Sequence, residues 1–118
     1  LRAAAGQTQA ALGRAMTYIE THLGEPLSVQ AIAHAANLST RTLMRLFRKD
    51  AGTSVVEFIL RRRVARARQL LLVEGRTCAE IGFECGFGSM QHFNRIFRRY
   101  EETSPSAWRR QAKLTALR

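Results

Sequence analysis

The chain has 118 residues, 46% of them hydrophobic, which predicts one small folded domain or two subdomains and excludes an intrinsically disordered segment. Its 19 Lys and Arg residues against 9 Asp and Glu residues give a net charge of +10, which favours a polyanionic partner such as nucleic acid or an anionic membrane surface. It has no apolar run long enough to span a bilayer and no visible signal peptide.

The first predicted element is an amphipathic helix near the N-terminus. Apolar residues recur at helical spacing from Thr8 to His22. Gly24 and Pro26 are expected to end this helix, because a glycine followed by a proline is typical of a helix C-terminus. Residues 1–7 are interpreted as the remnant of a linker.

The next segment has the pattern of a helix-turn-helix motif. Ser28 is expected to cap a short helix that ends near Ala35, and Asn37 tolerates the positive φ that a tight turn needs. Ser39 is expected to cap a second helix that runs to about Asp50. A generic helical hairpin would have the same pattern, so the motif alone is only moderately specific.

A long helix is predicted from Val55 to Leu72, with Ser54 as its cap. Roughly 18 residues at 1.5 Å each span about 27 Å, compared with about 34 Å between successive major-groove faces of B-DNA. This helix is therefore expected to act as a strut between two DNA-reading units. Its basic residues form either a DNA-facing surface or a solvated face with ordinary ion pairs: Arg61, Arg62, Arg63, Arg66 and Arg68.

The helix-turn-helix pattern then occurs a second time. Phe47 and Phe97 are 50 residues apart (97 − 47 = 50), and Arg45 matches Arg95 at the same offset. A repeat at a fixed offset indicates one structural unit used twice. Thr77 and Ser89 are the expected caps of the second pair of helices, and Pro105 is expected to open a last short helix.

These elements predict an all-α fold of about seven helices, with two helix-turn-helix subdomains joined by a long linker helix. The expected ranges are a linker remnant over 1–7, a first subdomain over 8–53, a linker helix over 54–72, a second subdomain over 73–110 and a frayed tail over 111–118.

The second helix of each repeat has a polar, basic outer face. In the second repeat Gln91, Asn94, Arg95 and Arg98 fall on this face. Arg hydrogen-bonds well to guanine O6 and N7, and Gln or Asn to adenine N6 and N7. The same spacing would equally give a solvated amphipathic helix, but its repetition with the basic face kept favours a nucleic-acid reader.

Signals of other chemistry are absent from the sequence. Cys78 and Cys85 are interpreted as reduced packing residues, which fits a cytoplasmic protein. His34 and His92 have no partner that suggests catalysis, and the chain has no Gly-rich phosphate loop or metal-ligand cluster. We therefore predict no catalytic residues, no metal, no cofactor and no enzymatic activity.

One set of residues in and around the second repeat forms a recognisable signature: Ile81-Gly82-Phe83-Glu84-Cys85-Gly86-Phe87-Gly88-Ser89, Phe93, Phe97-Arg98-Arg99, Ser104-Pro105 and Arg109, with Arg63-Val64, Ala67 and Leu70-Leu71 in the linker helix. Through these residues the sequence resembles, over about residues 9–110, the DNA-binding domain of AraC/XylS-type transcription regulators. The resemblance implies sequence-specific binding of two recognition helices, at about 40–50 and 90–100, in adjacent major grooves.

Carried over position by position, the resemblance also implies individual DNA contacts. The implied base-reading residues are Thr40, Arg41, Met44 and Arg45 in the first helix and Met90, Gln91, His92, Asn94 and Arg95 in the second. The expected phosphate contacts are Ser39, Arg48, Lys49, Ser89, Arg98 and Arg99. Two departures matter: Met44 offers no hydrogen bond, and Glu102 stands where the family commonly has glycine, so the last helix is expected to exit differently.

The expected partner is a double-stranded promoter or operator, with RNA polymerase as a candidate second partner. Because the chain starts at Leu1 rather than Met, we expect an N-terminal effector or dimerisation domain to be missing and this fragment to be monomeric. Two alternatives remain: a sequence-neutral architectural or RNA-binding protein, and the DNA-binding module of an enzyme with its active site upstream.

Overall fold

The computed structural model describes residues 2–117, with side chains described from residue 6, and all regular structure in this range is helical. The helices are α1 (Arg2–Thr21), α2 (Val29–Ala35), α3 (Thr40–Leu46), α4 (Val55–Leu71), α5 (Cys78–Glu84), α6 (Met90–Glu101) and α7 (Pro105–Ala116). The expected all-α fold of about seven helices is confirmed. The chain divides into two compact units, Leu1–Ile59 and Leu60–Arg118, each with its own core.

The predicted start of the first helix and the predicted end of the last helix were wrong. Helix α1 begins at Arg2 rather than Thr8, and α7 continues to Ala116, although 111–118 was expected to fray. The physical reason is local: residues 3–5 are three alanines, and 111–114 are also good helix formers with no breaker among them. Leu1 and Arg118 lie outside the described residues.

The first unit packs α1, α2 and α3 around one apolar core. Ile19 of α1 and Leu23, in the turn after α1, pack with Ile32 of α2 and Leu43 of α3, and all four side chains are fully buried. Arg14 also donates a hydrogen bond from Nη2 to the carbonyl of Ala36, 3.1 Å away, in the turn after α2. This packing fixes which face of α3 points inward and leaves the opposite face in solvent.

The second unit has an aromatic core. Phe87, Phe93 and Phe97 are buried, with ring centroids 4.9 Å apart for the first pair and 5.8 Å for the second. Trp108 of α7 packs edge-on against Phe97 at 6.1 Å, as expected for a residue that closes the core. The inward face of α6 is thereby fixed, as that of α3 is in the first unit.

Side-chain caps start the helices at the expected residues. Ser39 Oγ accepts from Thr42 N at 3.1 Å, and Ser89 Oγ accepts from His92 N at 3.0 Å. The expected caps Ser28, Ser54 and Thr77 are confirmed in the same way. Ser104, which was not predicted as a cap, accepts from Ala107 N at 3.2 Å and starts α7 ahead of the expected Pro105. These caps satisfy backbone N–H groups that otherwise have no partner in the first turn.

The two outer-face helices end differently. Helix α3 passes at Phe47 into a π-helical turn that ends at Ala51, so it is not α-helical as far as the predicted Asp50. Helix α6 stays α-helical to Glu101.

The residue that follows each of these helices adopts a left-handed conformation. Gly52 has φ 70° and Glu102 has φ 65°, and the two are 50 residues apart (102 − 52 = 50). Glu102 therefore takes the same left-handed conformation as the glycine of the first repeat. The expected difference in the exit of the chain is not seen at this residue.

Candidate nucleic-acid interface

The outer face of α3 presents the first set of predicted base readers. Arg41, Met44 and Arg45 are exposed, Met44 with 49% of its surface accessible, whereas Thr40 is half-buried. The guanidinium groups of Arg41 and Arg45 make no hydrogen bond or ion pair with another described residue. Their donors are therefore available to a ligand.

The outer face of α6 presents a smaller set than predicted. Gln91 and Arg95 are exposed and Asn94 is half-buried, so their polar groups lie on one accessible surface. Met90 is half-buried and packs against the core of the second unit, away from the role assigned to it by the family pattern. Helical spacing alone does not predict that Met90 packs inward. Met90 is the first residue of α6, and its burial depends on core residues outside that helix.

His92 lies between the core and the surface. Its ring is half-buried and stands edge-on to Phe87, with centroids 5.5 Å apart. Burial, followed by the positive charges of Arg95 and Arg63, lowers the pKa of His92 below its usual 6.5. The imidazole is therefore neutral at pH 7 and can both donate and accept a hydrogen bond.

The predicted phosphate contacts fall into two groups. Arg48, Lys49, Arg98 and Arg99 are exposed cations near the C-terminal ends of the reading helices. Ser39 and Ser89 are exposed too, but their hydroxyl groups already cap α3 and α6. Phosphate contact at those two positions would therefore come from the helix N-terminus as a whole.

Part of the arginine-rich surface of α4 is structural. Arg63 is only 9% exposed, and burial lowers its pKa. Arg68 donates from Nη1 to Glu101 Oε2 on α6 at 3.0 Å. Arg109, whose role the sequence did not reveal, donates to the carbonyls of Leu71 at 2.8 Å and Arg76 at 2.6 Å. These contacts join α4, α6 and α7 within the second unit.

The structure adds two neighbours of the reading helices that sequence reasoning missed. Gln7 and Thr8 of α1 line a groove of about 250 Å³ together with Thr42 and Arg45 of α3. The assignment of 1–7 to a linker hid this proximity.

In the second unit Arg61 of α4 lies over the ring of Tyr100, the last core-facing residue of α6. No local pattern signals a contact between residues so far apart.

Within the described residues, no group of three His, Cys, Asp or Glu side chains could hold a metal ion. In the part of the chain that the structure describes, every helix is too short or too polar to span a bilayer. Cys78 and Cys85 are free thiols, and burial raises the pKa of the Cys85 thiol to about 11, so this thiol stays protonated.

Two N-capped helices with buried inner faces and exposed arginine-bearing outer faces define a DNA-binding domain with two helix-turn-helix motifs. A family model described as a helix-turn-helix domain matches residues 32–111. The transcriptional activator RhaS of Salmonella arizonae is 35% identical over 101 residues, which cover 86% of this chain and 36% of RhaS. The chain thus spans about a third of the length of the curated relatives it matches.

Solved structures give the same assignment. An AraC-type transcriptional regulator from Chromobacterium violaceum superposes with a TM-score of 0.82 at 37% identity, covering 87% of this chain and 92% of that one. The DNA-binding domain of AdpA, solved with a target DNA, superposes with a TM-score of 0.83 at 30% identity, covering 88% and 94%. The chain belongs to the AraC/XylS-type family of helix-turn-helix transcription regulators, as the domain that binds duplex DNA sequence-specifically.

Proposed function

We propose that the domain reads a bipartite operator, with α3 and α6 each inserted into one of two adjacent major grooves. The observation that carries this proposal is the equivalence of Arg45 and Arg95, which lie 50 residues apart (95 − 45 = 50) and are both exposed. Neither guanidinium group has a hydrogen-bond or ion-pair partner among the described residues. Bidentate contact with guanine O6 and N7 is the base contact that such a side chain makes best.

The remaining predicted residues take graded roles in this proposal. Gln91 and Asn94 offer amide groups that suit adenine, and Met44 offers only an apolar contact, such as with a thymine methyl. The exposed cations Arg48, Lys49, Arg98 and Arg99 hold phosphates and set the register of the protein on the duplex. Thr40, Arg41 and His92 stand beside the principal readers as additional candidates, whereas Met90 is the weakest one because it packs on the core.

The proposal also covers the activity, oligomeric state, location and partners of the regulator. We propose a non-enzymatic, monomeric domain that acts in the cytoplasm, with an effector or dimerisation domain elsewhere in the protein and RNA polymerase as a further partner. The high positive charge supports attraction to any duplex and supplies the sequence-independent part of the affinity. The proposed boundaries keep the two motifs at 8–53 and 73–110, with 54–72 between them.

The test is selection of bound sequences from a random duplex library, with affinity then followed against salt concentration. Two short sub-motifs about one helical turn apart would support the bipartite reader. Steep salt dependence without any enriched motif would instead identify a sequence-neutral architectural protein. Preferential binding of single-stranded or structured RNA would favour the RNA-binding alternative.

A further inference from the structure

Two arginines from different helices of the second unit share one tyrosine ring. The guanidinium carbon of Arg61, on α4, lies 5.9 Å from the centroid of the Tyr100 ring. The guanidinium carbon of Arg99, on α6, lies 5.5 Å from the same centroid. Both distances fall within the roughly 6 Å over which a cation is attracted to the face of an aromatic ring.

The ring lies beside two arginine side chains at the surface of the second unit. A guanidinium group has five N–H donors, so a contact with a ring does not prevent it from also bonding to a phosphate oxygen. Both arginine side chains are exposed, whereas Tyr100 is half-buried against the core of the second unit. The tyrosine is thus a fixed platform under two accessible groups that suit a phosphate oxygen.

The charged side chains that line the cleft beside Arg61 and Tyr100 are compatible with a bound anion. Arg61 and Tyr100 line a cleft of about 240 Å³ together with Val64, Arg68 and Glu101. Glu101 is the acidic residue in this lining, and its carboxylate is paired with Arg68 at 3.0 Å. Because that negative charge is already compensated, it adds little repulsion against an incoming phosphate.

The position on α6 points to the phosphates beside the bases that α6 reads. Arg99 follows Arg95 by four residues, so the two lie on the same face of the helix, with Cβ atoms about 5–6 Å apart. If Arg95 contacts a base edge, Arg99 lies one turn further along, toward the wall of the groove. Arg61 joins it there through the shared ring of Tyr100.

We propose that Arg61 and Arg99, oriented by Tyr100, form a clamp that grips two consecutive phosphates of the DNA backbone at the edge of the groove entered by α6. The clamp adds a residue of the linker helix to the DNA-binding surface. This inference rests on the proposed function, because it takes duplex DNA as the ligand.

The first experiment measures affinity against salt for Arg61→Ala, on a selected operator duplex and on a random-sequence duplex. Loss of one phosphate contact is expected to reduce the slope of log K against log salt by about 0.9 on both duplexes, and the Arg61→Ala/Arg99→Ala double variant by about 1.8. The matched control is Arg110→Ala, which removes the same charge from an exposed position on α7. Its slope is expected to stay that of the wild type.

The second experiment tests the platform. Tyr100→Phe keeps the ring and is expected to bind as the wild type does, whereas Tyr100→Leu is expected to weaken binding about two- to fivefold at low salt. Thermal unfolding of both variants shows whether weaker binding comes from the missing ring contact with the two arginines or from loss of the fold. Should Tyr100→Leu prove unfolded, the Arg61→Ala slope still decides the matter, because Arg61 is exposed.

The outcomes separate the clamp from the operator-reading proposal. An unchanged slope in Arg61→Ala, or an equal decrease in Arg110→Ala, would overturn the clamp while leaving the bipartite reader intact. A library selection without any enriched motif would overturn the reader, yet the slope on the random duplex would still test the clamp. A wild-type protein that binds no duplex at all would overturn both.

Discussion

Gly82 of α5 leaves the space that the ring of Phe93 of α6 occupies. A Cβ atom on Gly82 would lie 2.7 Å from Phe93 Cδ2, closer than non-bonded carbon atoms approach. Counted from the caps Ser28 and Thr77, the first-unit residue that corresponds to Gly82 is Ala33 (33 − 28 = 5 and 82 − 77 = 5). The residue that corresponds to Phe93 is Leu43 (93 − 43 = 50), and both Ala33 and Leu43 are buried. The smaller Gly82 thus goes with the larger Phe93. The two helix-turn-helix units thus fill the contact between their two helices with different pairs of residues.

The contact predicts that Gly82→Ala destabilises the second unit. The overlap with Phe93 costs about 1–3 kcal/mol, which exceeds the gain of up to about 1 kcal/mol from replacing a helical glycine with alanine. We expect the free energy of unfolding in urea to fall by about 1–2 kcal/mol. Phe93→Leu in the same chain should recover part of this loss, as a double-mutant cycle would measure.

The matched control is Gly88→Ala, because a Cβ at Gly88 would meet no atom within 4 Å. We expect a change below about 0.5 kcal/mol there. Equal effects at the two glycines would contradict the packing explanation.

Replacement of Glu102 by glycine is expected to stabilise the domain. A residue with a Cβ pays about 1–2 kcal/mol in the left-handed conformation, and Glu102 adopts φ 65° directly after α6. We expect Glu102→Gly to raise the free energy of unfolding by about 1 kcal/mol. The mirror experiment is Gly52→Ala, at φ 70° after α3, which should lower it by a similar amount; a stabilising effect there would contradict the conformational account.

Removal of the half-buried Arg109 side chain is expected to destabilise the domain strongly. It donates to the carbonyls of Leu71 and Arg76 and thereby ties α7 to the end of α4. Hydrogen bonds that involve a charged group contribute about 1.5–3 kcal/mol each, so loss of both in Arg109→Ala should cost about 3–6 kcal/mol in thermal or urea unfolding. Its exposed neighbour Arg110 is the control, and Arg110→Ala should change stability by less than about 0.5 kcal/mol.

The two reading helices predict separable effects on specificity. Arg45→Ala and Arg95→Ala should each relax the preference at one base step, in different halves of the operator, at a cost of about 1–3 kcal/mol against the preferred base. Arg98→Ala should weaken all sequences about equally, since a phosphate contact carries no base information. Sequencing of selected duplexes for each variant measures this, and an unchanged base preference in Arg95→Ala would remove its assigned role.

His92 predicts a loss of stability in mild acid. The pKa of His92 is lower in the folded protein than in the unfolded chain, so below pH 6.5 the unfolded chain binds more protons than the folded protein does. The free energy of unfolding therefore falls as the pH drops from 6.5 towards the folded pKa. Below the folded pKa it levels off, because both states are then protonated. His92→Gln should remove this part of the pH dependence. Urea unfolding between pH 7 and the acidic limit of the fold, compared with His34→Gln at an exposed histidine, provides the measurement.

The sequence alone determined the helices, their caps and their faces. Helical spacing placed Phe93 and Phe97 inside and Gln91 and Arg95 outside, because both consequences follow from 3.6 residues per turn. The repeat at an offset of 50 and the serine caps were visible for the same reason: they depend on residues a few positions apart. The start of α1 and the end of α7 were misplaced, because helix propensity continues both helices where no stop signal stands. The end of α3 was misplaced as well, because a π-helical turn follows Leu46.

The tertiary structure decided which polar residues remain for DNA. Arg63 and Arg61 stand two positions apart in one arginine run, yet one is buried and the other lies exposed over Tyr100. Arg109 reads as another surface arginine until its two carbonyl partners, 38 and 33 residues away, come into contact with it. These roles depend on contacts between segments distant along the chain, for which no local spacing carries a signal.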